Sequence, residues 1–150
     1  MKLLRIISLT LISLILFQSC KEDCSNINLP VDSLESEYGC ENTKYGMEID
    51  LTDDFTVIRT QSDFDNLVSG TCDAVIDFTE YDLVIGKKGL TSGNESIEYE
   101  LEEDCESGDL YLKVTFTQNA TSVAPNLTYH ALVPKIGNGA TLNLEIEVNY

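Results

Sequence analysis

Leu110-Tyr111-Leu112-Lys113-Val114-Thr115-Phe116-Thr117-Gln118 alternates apolar and polar residues without a break. Successive side chains of a strand point to opposite faces, so Leu110, Leu112, Val114 and Phe116 belong on a buried face and the others in water. Leu142, Leu144, Ile146 and Val148 repeat the pattern near the end of the chain. One dry and one wet face per strand is the habit of antiparallel sheets.

Outward from these two stretches, β-branched and aromatic enrichment predicts strands over 55–60, 74–78, 81–87, 96–102 and 128–135. Glu106-Ser107-Gly108-Asp109 and Ile136-Gly137-Asn138-Gly139 read as hairpin turns, their glycines supplying positive φ. One short helix is expected over 62–68, with Ser62 as N-cap, Asp63 and Asp65 at the positive end of its dipole, and Gly70 as the stop. The fold class expected is mainly β: an antiparallel β-sandwich or partly open barrel with one short helix.

The start of the chain reads differently. Lys2 and Arg5 precede an apolar stretch over 6–17, followed by Gln18-Ser19 and Cys20, the order of a secretory signal. At about 1.5 Å per residue the apolar stretch reaches only about 18 Å as a helix, short of the roughly 30 Å hydrocarbon core of a bilayer. Leu16-Phe17-Gln18-Ser19-Cys20 resembles a lipobox with Ser19 as the small residue, which implies cleavage before Cys20 and lipidation of its thiol. Each buried methylene contributes about 0.8 kcal/mol, so two or three acyl chains hold a protein on a membrane firmly. Lys21-Glu22-Asp23 resembles the surface-export signal of Bacteroidetes lipoproteins. The expected organisation is a signal peptide over 1–19, lipidated Cys20 with a polar tether over 20–46, and a β-rich domain over 47–150. Its expected place is the cell envelope, anchored by lipid to the outer membrane and facing the periplasm or the surface.

The chain carries 9 basic and 26 acidic residues, a formal charge of −17. Removing Lys2 and Arg5 with the signal takes away two basic and no acidic residues, moving the charge to −19. Such a balance excludes nucleic acid as a natural partner and disfavours adsorption to anionic headgroups. With Cys20 lipidated, Cys24, Cys40, Cys72 and Cys105 remain, an even number for an oxidising compartment, which predicts two disulfides. Three pairings are open. The expected one is Cys24 with Cys40, tying the N-terminal arm to itself, and Cys72 with Cys105. No Cys-x-x-Cys pair supports zinc.

No catalytic residues are expected. His130 is the chain's single histidine and reads as a structural or surface residue of a strand, and no nucleophile elbow, His-Glu-x-x-His pair or phosphate-cradling glycine loop is present. No cofactor and no metal ligand set is expected. The acidic groups Asp50, Asp53, Asp54 and Glu102, Glu103, Asp104, Glu106, Asp109 leave calcium or a small ligand as the alternative to a protein partner, though neither has EF-hand spacing. Lys87 and Lys88, beside Leu90 and with Asn94 further along the same loop, form the candidate partner-binding patch.

The middle of the chain also resembles a known family. Ile76-Asp77-Phe78, Leu83-Val84-Ile85-Gly86, the loop over 87–94, Ile97-Glu98-Tyr99-Glu100 and Tyr129-His130-Ala131-Leu132-Val133-Pro134 are similar to the PrcB-type family of protease-complex accessory domains, over residues 55–136. The family's loop reads Pro-Thr-Gly-Gly-Tyr, whereas Leu90-Thr91-Ser92-Gly93-Asn94 lacks both the proline and the tyrosine. The resemblance implies a small β-rich envelope module that binds another protein, in the founding case a protease, and is not itself an enzyme.

Overall fold

The computed structural model describes residues 24–51 and 54–150; the signal, Cys20, the Lys21-Glu22-Asp23 motif and Asp53 lie outside them. In chain order the elements are β1 (Ile27–Leu29), α1 (Leu34–Tyr38), α2 (Thr43–Gly46), β2 (Met47–Ile49), β3 (Phe55–Ile58), α3 (Gln61–Leu67), β4 (Val68–Gly70), β5 (Tyr81–Gly89), β6 (Asn94–Glu103), β7 (Leu110–Gln118), β8 (Asn126–Pro134) and β9 (Leu142–Asn149). Two sheets, ordered β1-β6-β7-β9 and β3-β5-β8, face each other as an open sandwich, and β2 pairs with β4 in a small third sheet.

The inner face of the larger sheet carries Leu101, Leu110, Leu112, Val114 and Phe116, and it meets Val84, Leu127, Tyr129, Ala131 and Val133 from the smaller sheet. The smaller sheet is dry on both faces. On its other side Leu83, Ile85 and Leu132 meet a third layer that contains Leu34, Met47, Ile49, Phe64 and Ile76. This double burial explains the unbroken apolar run Leu83-Val84-Ile85, which a strand with one wet face would not need. At the centre, the Phe116 and Tyr129 rings meet edge to face at 5.8 Å. Gly86 lies opposite Tyr129 in the β5–β8 ladder. A Cβ on Gly86 would fall 2.2 Å from the Tyr129 hydroxyl oxygen, so only glycine leaves room for the ring.

Several expectations are corrected. There are three helices among the described residues, and the one at 61–67 is capped by Thr60, whose side chain accepts from the Asp63 N–H, not by Ser62. Residues 74–78 alternate in burial but form no strand. Gln61 takes the place of a neighbouring strand, donating to the Ala74 carbonyl at 3.0 Å and accepting from the Ile76 N–H at 2.9 Å, while the Tyr38 hydroxyl accepts from the Asp77 N–H. The 136–139 segment is not a hairpin turn, because it carries the chain from β8 in one sheet to β9 in the other. As a result β9 lies parallel to β7, the one departure from antiparallel pairing among the described strands.

The tether reading is corrected from Cys24 onward. Leu34 is fully buried, α1 opens with a Ser33–Ser36 capping box, and Asp32 forms a bridge to Leu132 of β8. The disulfide pairing is corrected as well. Cys24 bonds Cys105 and Cys40 bonds Cys72, with Cα separations of 5.8 Å and 5.2 Å. Each bridge therefore ties the N-terminal arm to the domain, not to itself.

Candidate functional site

The patch expected at Lys87, Lys88, Leu90 and Asn94 is not assembled as a docking surface. Lys87 and Lys88 lie within β5, paired with Thr128 and Leu127 of β8, not at a hairpin tip. Lys87 makes an ion pair with Glu48. Leu90 is buried in the sandwich core. Asn94 is also buried, its amide donating to the Ser96 and Thr117 carbonyls at 2.8 and 3.2 Å and its oxygen accepting from Lys44. The loop that follows Leu90 is closed from within, since Gln118 Oε1 accepts from the N–H groups of Thr91 and Ser92.

The structure instead gathers polar residues that are far apart in sequence around His130. A cleft of about 240 Å³ is lined by Ser33, Glu35, Thr43, Lys44, Ile97, Tyr99 and His130. β8 holds His130 almost fully buried; α1 brings Glu35 and α2 brings Thr43. The Thr43 hydroxyl donates to Glu35 Oε1, which leaves its oxygen to accept from His130 Nε2–H at 2.7 Å. The same nitrogen faces Glu35 Oε2 at 3.2 Å. Burial pushes the Glu35 carboxyl upward, but the His130 and Thr43 hydrogen bonds and the imidazole charge more than offset it and hold the group down at about 2. Tyr99 accepts from the His130 backbone N–H at 3.2 Å, and its own hydroxyl is pushed well above the usual tyrosine range by burial.

A hydroxyl, an imidazole and a carboxylate within hydrogen-bond reach invite comparison with a catalytic triad, and the wiring differs. A triad uses both ring nitrogens, one to take the nucleophile's proton and the other held by the acid. Here Thr43 and Glu35 share Nε2, the hydroxyl proton is committed to the carboxylate, and Nδ1 has no hydrogen-bond partner among the described residues. What this arrangement does chemically is clamp α1 and α2 onto β8.

Asp82 is the one fully buried carboxylate among the described residues. It accepts from Lys135, from Arg59 Nε at 3.3 Å and from the Ile136 N–H at 3.1 Å, joining β3, β5 and the end of β8. Around the β6–β7 turn, Asp104 accepts from the Ser107 and Glu106 N–H groups, and Asp109 from the Thr141 N–H and hydroxyl; those bonds lower both carboxyls. Among the described residues no group of three His, Cys, Asp or Glu side chains is placed to hold a metal ion.

The outer face of the β1-β6-β7-β9 sheet is an accessible charged surface. Glu98, Glu100 and Glu102 of β6 stand across from Thr115, Lys113 and Tyr111 of β7, which stand across from Glu147, Glu145 and Asn143 of β9. Lys113 bonds Glu147 at 2.6 Å. A shallow depression of about 230 Å³ lies among Glu100, Glu102, Tyr111, Lys113, Asn143 and Glu145, and Tyr111 leaves 48% of its surface in water. Sequence reasoning missed this face, although the glutamates at every second position of β6 were its signal. No family model, no curated protein and no solved structure matches the chain.

Proposed function

We propose that the protein is a lipid-anchored cell-envelope module that binds another protein and is not an enzyme. The signal and lipobox reading of residues 1–20 supports the anchor at Cys20, with no cofactor in the scheme, on the outer membrane and facing the periplasm or, as Lys21-Glu22-Asp23 favours, the surface. The observation that carries the binding reading is the acidic face of Glu98, Glu100, Glu102 and Glu145 around an exposed tyrosine, on a disulfide-braced sandwich. An aromatic side chain framed by like charges offers an apolar anchor with a charged rim to a basic partner. The PrcB-type motifs point the same way, toward an accessory role beside an envelope protease. The acidic loops give less support to a calcium or small-ligand carrier, because Asp104 and Asp109 already spend an oxygen on turn N–H groups. Cross-linking capture from the native envelope tests the reading, comparing wild type with Glu100→Lys/Glu102→Lys. A partner cross-linked through the acidic face by wild type and lost with the variant is the expected result. Equal capture by both removes the face, and no specific partner for either removes the reading.

A further inference from the structure

The two main sheets have four open ends, and three of them are closed to further pairing. β1 is three residues long and β3 is four, too short to template a partner. β8 is long, but its outer edge is occupied: Asp32 exchanges both backbone hydrogen bonds with Leu132, Tyr99 takes the His130 N–H, and Pro134, two residues further on, has no N–H to offer. These are the devices by which native proteins blunt sheet edges.

β9 is neither short nor covered by another segment among the described residues. It runs for eight residues, Leu142–Asn149, with no proline and no lysine, and its register against β7 is continuous, without a bulge. The Leu110 N–H donates to the Thr141 carbonyl at 2.8 Å, so residues of that parity face β7. By the period of two, the N–H and C=O groups of Leu142, Leu144, Ile146 and Val148 face outward, where no strand among the described residues pairs with them.

We propose that β9 is a docking edge that adds an extended segment of a basic partner as a fifth strand of the larger sheet. The inference rests on the protein-binding reading above and names its partner class. Charge selects the occupant. A second copy laid against β9 would bring Glu145 and Glu147 toward their own kind, across a surface already carrying Glu98, Glu100 and Glu102, and like charges on neighbouring strands repel. A strand with lysine or arginine at every second position meets Glu145 instead, while its intervening apolar residues extend the partly buried row of Leu142, Leu144, Ile146 and Val148.

The test titrates the full chain in detergent with the nonapeptide Lys-Val-Lys-Val-Thr-Val-Lys-Val-Lys, and with the same peptide N-methylated on two adjacent central residues so that neither of its edges can pair. The expected result is binding, weakened about 10-fold or more by N-methylation. Amide exchange is expected to slow at Leu142, Leu144, Ile146 and Val148, and Glu145→Lys to weaken the unmodified peptide. Equal binding of the two peptides, protection elsewhere, or no binding overturns the proposal. Partner capture through the acidic face with the β9 amides still exchanging would keep the protein-binding reading and remove the edge; an occupied edge with no captured partner would do the reverse.

Discussion

Glu35 keeps its charge against the pull of its surroundings, and that has a pH signature. Its folded carboxyl sits at about 2, below the ordinary value of 4.5. A group depressed in the folded state contributes stability that is present above its unfolded pKa and is lost as pH falls through the folded one. With the side chain 39% exposed, solvent screening reduces the contribution to about 1–2 kcal/mol. Glu35→Gln is therefore expected to lower the urea midpoint at pH 7, with the gap to wild type closing between pH 4.5 and 2. A gap that stays constant over that range would place the effect in packing. The partners of Glu35 are not legible in the sequence. His130 reads as a structural or surface residue of a strand and lies almost fully buried in β8, but nothing in the spacing of positions 35, 43 and 130 announces that α1 and α2 lie across β8. Gly86 reads only as the end of an apolar strand; its reason, the Tyr129 ring seated over it, exists only once β5 and β8 are paired.

At the scale of elements, legibility follows length and amphipathicity. β7 is legible to its true bounds, because one face is core and the other water over its whole length. The 74–78 segment carries an equally real alternation, yet side chains satisfy its backbone, which periodicity cannot distinguish from a ladder. α1 and α2 are single turns, too short to show a period of 3.6. The arm before β2 lacks a repeat for the same reason and reads as a tether, although Leu34 and two cysteines fasten it. Cross-linking residues 32 apart removes loop entropy from the unfolded chain worth about 3–4 kcal/mol. Cys40→Ser/Cys72→Ser is expected to lower unfolding free energy by about that much in denaturant titration. A wild-type midpoint in that variant would mean that the Cys24–Cys105 bridge, the Asp32–Leu132 pairing and the burial of Leu34 hold the arm without this bridge.

For the molecule as a whole, self-repulsion is the dominant electrostatic term. With 26 acidic and 9 basic residues, and with basic groups such as Arg59, Lys87, Lys113 and Lys135 already in ion pairs, screening relieves more repulsion than attraction. Raising ionic strength from about 0.01 M to 0.15 M shortens the Debye length from about 30 Å to 8 Å. The melting temperature is expected to rise by about 3–6 °C over that range, read by circular dichroism; a fall would show that the few ion pairs outweigh the excess charge. Composition makes the sign of this charge legible. Its distribution is not, because the acidic face is completed by β9, whose place beside β7 depends on a crossover between sheets.

The Cys24–Cys105 bridge changes where such a molecule stands. Only three residues separate Cys24 from Cys20, a leash of at most about 14 Å at full stretch. Acyl chains on Cys20 would thus leave the domain almost no stand-off from the bilayer, with the bend between β6 and β7 at the lipid surface. Glu102, Glu103, Asp104 and Glu106 would meet the headgroups there, and anionic lipid would prop the body away from the plane instead of letting it lie down. β9 starts beside that bend, with Leu142 level with Leu110, and so it would rise from the membrane like a rail, its open side accessible along its length to whatever passes above.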